Sequence, residues 1–62
     1  MKWEYKDDIK EYYCGDFDPY ELCVFEIKDK FQYVVYLDGF IQATGYSDDL
    51  EKAKEFAKMM VV

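Results

Sequence analysis

The chain contains no histidine and no arginine, and Ser47 is its one serine. A Ser-His-Asp or Cys-His arrangement therefore cannot be assembled from a single copy. Acid–base work by a carboxylate pair needs a cleft, and 62 residues leave little room for one, so no catalytic site and no cofactor are expected. The missing arginine matters in another way. Arginine makes the bidentate contacts to phosphates and base edges, and all eight cations here are lysine. Against fourteen acids they leave a net charge of -6, which opposes a direct grip on nucleic acid.

Cysteine is scarce as well. Cys14 and Cys23 are too few for a disulfide framework and read as reduced thiols in a cytoplasmic chain, with Cys23 a small inward-facing hydrophobe. In an exported chain a Cys14–Cys23 bridge would be the one intrachain option. No apolar run approaches membrane-spanning length, because Lys2, Glu4, Lys6, Asp7 and Asp8 interrupt the start, so no membrane partner is expected.

What the chain has in quantity is aromatic residues, at 21%, enough to supply the core of one small domain over 1–62. The clearest local signal is Asp38-Gly39 between two alternating apolar runs, a strong hairpin cue. A two-residue loop would mix Gln42 and Thr44 with Tyr33 and Val35. A three-residue loop instead groups Phe31, Tyr33 and Val35 with Ile41, Ala43 and Gly45, and is the register expected. The same loop over Lys28-Asp29-Lys30 adds Cys23, Phe25 and Ile27 to that inner face. A three-stranded antiparallel meander over 20–28, 31–37 and 40–46 follows.

Ser47 then reads as a helix cap, with Asp48 and Asp49 suited to the positive end of the helix dipole and Asp48 with Glu51 as a second cap. Leu50, Ala53, Ala57 and Met60 recur at helical spacing, so a helix over 47–60 is expected on the inner sheet face, with Ala43 and Gly45 small enough to admit it closely. Within the arm over 1–15, Asp8, Ile9, Tyr12 and Tyr13 read as a short helix from about Asp7 to Cys14, ended by Gly15, with Trp3 and Tyr5 packing beside it. The expected fold is α+β with order α-β-β-β-α; the alternative is four strands and a helix, β-β-β-β-α, with 2–6 or 2–13 beside the sheet.

The order helix, three strands, helix resembles the double-stranded RNA-binding domain. Phe31, Tyr33, Val35 and Leu37 alternate before Gly39, small Ala43 and Gly45 follow, and Ser47, Ala53, Lys54 and Ala57 fall near that family's serine and Ala-Lys-x-x-Ala pattern. The family grips phosphates with basic residues at the start of its last helix. Here Asp48 and Asp49 stand there, so the resemblance implies the fold and argues against RNA binding.

Two groups of side chains are candidates for contact with a partner. Leu22, Val24, Val34, Tyr36 and Phe40 would form an apolar strip on the outer sheet face, unless Trp3, Tyr5 or one of Tyr12 and Tyr13 folds across it. Asp7, Asp8, Asp16, Asp18 and Glu21, with Asp48 and Asp49, would supply an acidic rim. Small size, acidity and absent catalytic chemistry resemble small phage proteins that inhibit host nucleic-acid-handling machinery, anti-CRISPR proteins among them. That resemblance implies a basic or nucleic-acid-binding protein partner whose lysine- and arginine-lined groove the carboxylates occupy as phosphate mimics. The alternatives are a homodimer through the outer face or an edge strand, and a metal or ligand sensor in the Asp16–Glu21 loop. That loop lacks the glycine and the distant glutamate of a twelve-residue calcium loop, so no metal site is assigned to it.

Overall fold

Alternation of apolar and polar side chains, the signature of a half-buried strand, runs through more of this chain than the hairpin cue at Asp38-Gly39 marks. In the computed structural model, which describes residues 2–61, it produces β1 (Glu4–Lys6), β2 (Glu11–Cys14), β3 (Tyr20–Ile27), β4 (Lys30–Leu37) and β5 (Phe40–Ser47), followed by α1 (Leu50–Met59). The strands lie in chain order in one sheet, each antiparallel to its neighbour, and α1 packs across β3, β4 and β5. Residues 1 and 62 of the expected single domain lie outside the described residues.

The N-terminal helix is not formed, and the α-β-β-β-α order is overturned. Asp7–Lys10 make a turn, and Glu11–Cys14 run back beside Glu4–Lys6 as a strand. The physical reason is twofold. Period-two spacing puts Trp3, Tyr5, Tyr12 and Cys14 on the helix side together, where a helix would have scattered them. Pairing β2 with β3 also satisfies backbone groups along β3 that an N-terminal helix would have left without a ladder partner. The four-strand alternative is nearer but one strand short, because 2–14 folds on itself as a hairpin rather than lying as one strand.

Asp38 and Gly39 both have positive φ, 53 and 86, so they form a two-residue turn with Leu37 opposite Phe40. This is the loop that the hydrophobic pattern argued against. A β-bulge reconciles the two: Tyr36 pairs with Ile41 but Val35 pairs with Ala43, leaving Gln42 as the extra residue. Beyond the bulge, Val35 faces Ala43 and Tyr33 faces Gly45, as the pattern demands. The Tyr33 ring lies on Gly45, filling the place of its absent side chain.

No bulge corrects the preceding hairpin. Lys28 has φ 54 and the turn is again two residues, with Ile27 opposite Lys30, so Leu22 pairs with Val35 and Cys23 with Val34. The expected facing of β3 is therefore inverted: Leu22 and Val24 are inside, and Cys23, Phe25 and Ile27 face the other way. A slip of one residue moves every side chain to the opposite face. Because β3 is apolar on both faces, its pattern could not choose, and the turn did.

The core lies between the sheet and α1. Cys14, Leu22, Val24, Val35, Ala53 and Ala57 are fully buried, with Tyr20 beside them and Trp3, Phe17 and Leu37 closing the margins. Each large aliphatic there contributes about 1.5–3 kcal/mol by leaving water. Alanine at 53 and 57 lets the helix backbone approach the sheet. The Lys54 ammonium sits 5.4 Å from the Trp3 ring and 5.1 Å from the Tyr12 ring, tying α1 to the β1–β2 hairpin. The helix starts later than expected: Ser47 still pairs with Phe31 in β5, and Asp49 is the cap, its carboxylate accepting from the Glu51 N–H at 2.9 Å. Ser47 supports this cap by accepting from the Asp49 N–H at 3.2 Å.

Candidate functional site: the open face of the sheet

Opposite α1, the sheet presents three rows of side chains set by strand pairing. One crosses all five strands as Glu4, Tyr13, Cys23, Val34 and Thr44; the next as Lys6, Glu11, Phe25, Gln32 and Tyr46. The third, shorter row is Glu21, Tyr36 and Ile41. Every acid in these rows lies on β1, β2 or β3. The β4–β5 side is neutral but for Lys30 at the turn.

Tyr13 is the centre of the acidic half. Its hydroxyl donates to Glu21 Oε2 at 3.3 Å, Glu4 lies opposite on β1, and Glu11 lies two residues along the same strand face. The Lys6 ammonium sits 5.4 Å from its ring. Removal from water raises the Tyr13 pKa above its ordinary value, and the Glu21 carboxylate raises it further by charge and by hydrogen bond. Glu11 is only 9% exposed although charged, and its carboxylate accepts from the Cys23 thiol. Burial, then that bond and the charges of Glu11 and Glu21, push the Cys23 thiol up to about 12. Cys23 is therefore protonated and a poor nucleophile at neutral pH.

Beside Tyr13 the face dips into a shallow cleft of about 220 Å³ lined by Lys2, Glu4, Tyr13, Gly15 and Asp16. Asp16 Oδ2 accepts the Lys2 backbone N–H at 2.7 Å, which draws the start of the chain against the β2–β3 connection. Tyr20 N–H donates to Phe17 O at 2.7 Å and closes that connection.

The expected apolar strip is redrawn by the inverted facing of β3. Leu22 and Val24 lie in the core under α1, whereas Val34 and Tyr36 do face the open side. Phe40 sits opposite Leu37 at the hairpin tip, on the helix side, and is 77% exposed. The acids are dispersed too. Asp16 and Asp18 join Glu21 at one end of the sheet; Asp7 and Asp8 occupy the β1–β2 turn at the other end, and Asp48 and Asp49 share that end but lie beyond β5. The Asp49 carboxylate is committed to its helix. Glu4, Glu11, Tyr13 and Phe25 belong to the face and were missed. Alternation over 2–6 and 11–14, read as two strands, would have found the first three.

Cys14 faces α1 and Cys23 faces the open side of the adjacent strand, so side chains pointing to opposite faces cannot bridge without moving the backbone. Among the described residues no three of the Cys, Asp or Glu side chains are placed to hold a metal ion, the Asp16–Glu21 loop included. Among them, too, no helix is long and apolar enough to cross a membrane. No protein-family model matches the chain, and neither curated proteins nor solved structures give a match.

Proposed function

We propose that this chain is a protein-interaction module that docks the acidic half of its open sheet face on a basic, nucleic-acid-handling protein and occupies the groove its nucleic acid would use. The observation that supports this reading is the arrangement around Tyr13. An aromatic side chain with Glu4, Glu11 and Glu21 on its strand neighbours, Asp16 and Asp18 at the margin and the Lys6 ammonium 5.4 Å from its ring offers an anchor beside a carboxylate rim. Anchors of this kind carry most binding energy, and the surrounding charge steers a partner of opposite sign. The net charge of -6 extends that steering beyond the contact itself. The mode is that of a phosphate mimic, as in small phage inhibitors of host defence machinery.

The test is capture of partners by the tagged chain across a salt series, with wild type compared to Glu4→Gln/Glu21→Gln. A nucleic-acid-binding protein should be retained at low salt, elute as salt rises and bind the double variant about tenfold more weakly. Its nucleic acid should compete with the chain. Retention that salt and the variant both leave unchanged would overturn the reading.

A further inference from the structure

β5 ends the sheet, so among the described residues the backbone groups along its outer side have no strand partner. Sheet edges are ordinarily guarded by shortness, charge, proline or a bulge. β1, the opposite edge, is three residues long and carries Glu4 and Lys6. β5 is eight residues long, Phe-Ile-Gln-Ala-Thr-Gly-Tyr-Ser, with no charge and no proline, in a chain that is 35% charged. Its one guard is the bulge at Gln42, next to the turn. From Ala43 to Ser47 its pairing with β4 is unbroken.

The exposed side chains of β5 are arranged in a self-complementary way. Ile41 and Tyr46, 63% and 62% exposed, both face the open side near opposite ends of the strand. We propose that β5 is a homodimerisation edge: two copies pair β5 to β5, antiparallel about a two-fold axis, and join their sheets into one. Such an axis brings Ile41 of each copy beside Tyr46 of the other, one contact made twice. Charge points to a second copy as the occupant. An uncharged strand offers no carboxylate to a basic segment, whereas two chains of net charge -6 repel each other least along a strand that carries no charge. Acids flank both ends of the strand, Asp38 before it and Asp48 and Asp49 after it. In the antiparallel pair Asp38 of one copy faces Asp48 and Asp49 of the other, so salt strengthens the dimer by screening them. The acidic contact proposed above has the opposite salt dependence, which keeps the two proposals separable. One strand's width makes the interface small, and small interfaces are weak, so association is expected in the micromolar range rather than the nanomolar.

Sedimentation velocity of the full chain, over a concentration series at low and high salt, tests this. The expected species has twice the 7.5 kDa chain mass and grows with both concentration and salt. Ile41→Glu should return the chain to monomer, with its circular dichroism unchanged because the site is exposed. Ile41→Lys with Tyr46→Glu sets opposite charges across both contacts and should restore a dimer, now weakened by salt. Amide exchange over Ala43–Ser47 should slow as concentration rises in wild type alone among wild type and Ile41→Glu. A monomer under every condition overturns the proposal. So does a dimer that Ile41→Glu leaves intact, a double variant no better than Ile41→Glu, or a monomer that takes a lysine-rich peptide along β5.

Discussion

Val34 and Val35 are consecutive in the chain and carry the same side chain, yet they leave water by different means. Val35 is fully buried, with Leu22 and Cys14 on its own face and Ala57 of the helix above it. Val34, on the open side, is 6% exposed with no second layer over it; Cys23 and Thr44 flank it across the strands, and Gln32 and Tyr36 along its own. One face is a core between two layers. The other is a single layer whose large side chains lie against one another, dry at its centre and wet at its rim. Low exposure alone does not distinguish them, but the number of layers sets how much packing a substitution can lose.

The largest expected effect comes from the two-layer side. Leu22→Ala should cost about 3 kcal/mol in urea denaturation, since the cavity left under α1 cannot fully collapse. A loss below about 1 kcal/mol would return Leu22 to the outer face. The sharper comparison is Val35→Thr against Val34→Thr. A hydroxyl at 35 has no partner beneath the helix and should cost about 2 kcal/mol. At 34 it lies opposite the Thr44 hydroxyl and should cost less than about 1 kcal/mol, and equal losses would mean the two faces are equally closed.

A further effect is read through pH. The Cys23 thiol has an ordinary pKa of 9.0 and is pushed up to about 12 in the folded chain. A raised acid of this kind contributes stability in full below its unfolded value and loses it as pH climbs through the folded one. Wild type should therefore lose stability more steeply than Cys23→Ala between pH 9.0 and about 12. Parallel losses in that window would show that the open face does not hold the thiol away from water.

Much of this architecture was legible from residues alone. Strong alternation and a hairpin signal located β4 and β5 to within a residue, and the spacing of Leu50, Ala53 and Ala57 located α1. Small Ala43 marked a place on the core side of the sheet, whereas the space over Gly45 is taken by the Tyr33 ring rather than by the helix. The N-terminal region was not legible, because Ile9, Tyr12 and Tyr13 match a helical stripe as well as Tyr12 and Cys14 match a strand. Only pairing with β3 decides between them. The facing of β3 was lost for a related reason: Leu22 with Val24, and Cys23 with Phe25, are equally acceptable inner sets, and the turn at Lys28-Asp29 left no cue to its length. The site inherited both errors. Tyr13 and Glu11 lay in the supposed helix, and Phe25 on the wrong face, so the acidic ring around Tyr13 had no place to form.

Every strand of this sheet is hydrogen-bonded to the strand that precedes or follows it in the chain. The loops that must close are therefore short, and each hairpin can form before the next without waiting for a distant partner. Sheet proteins built on remote pairings fold slowly; this order of strands is expected to fold faster than those. Its cover arrives out of step with its sheet. Because α1 follows all five strands, the ribosome releases Leu22, Val24 and Val35 before the alanines that shield them, and for that interval the nascent sheet bares its core side to water.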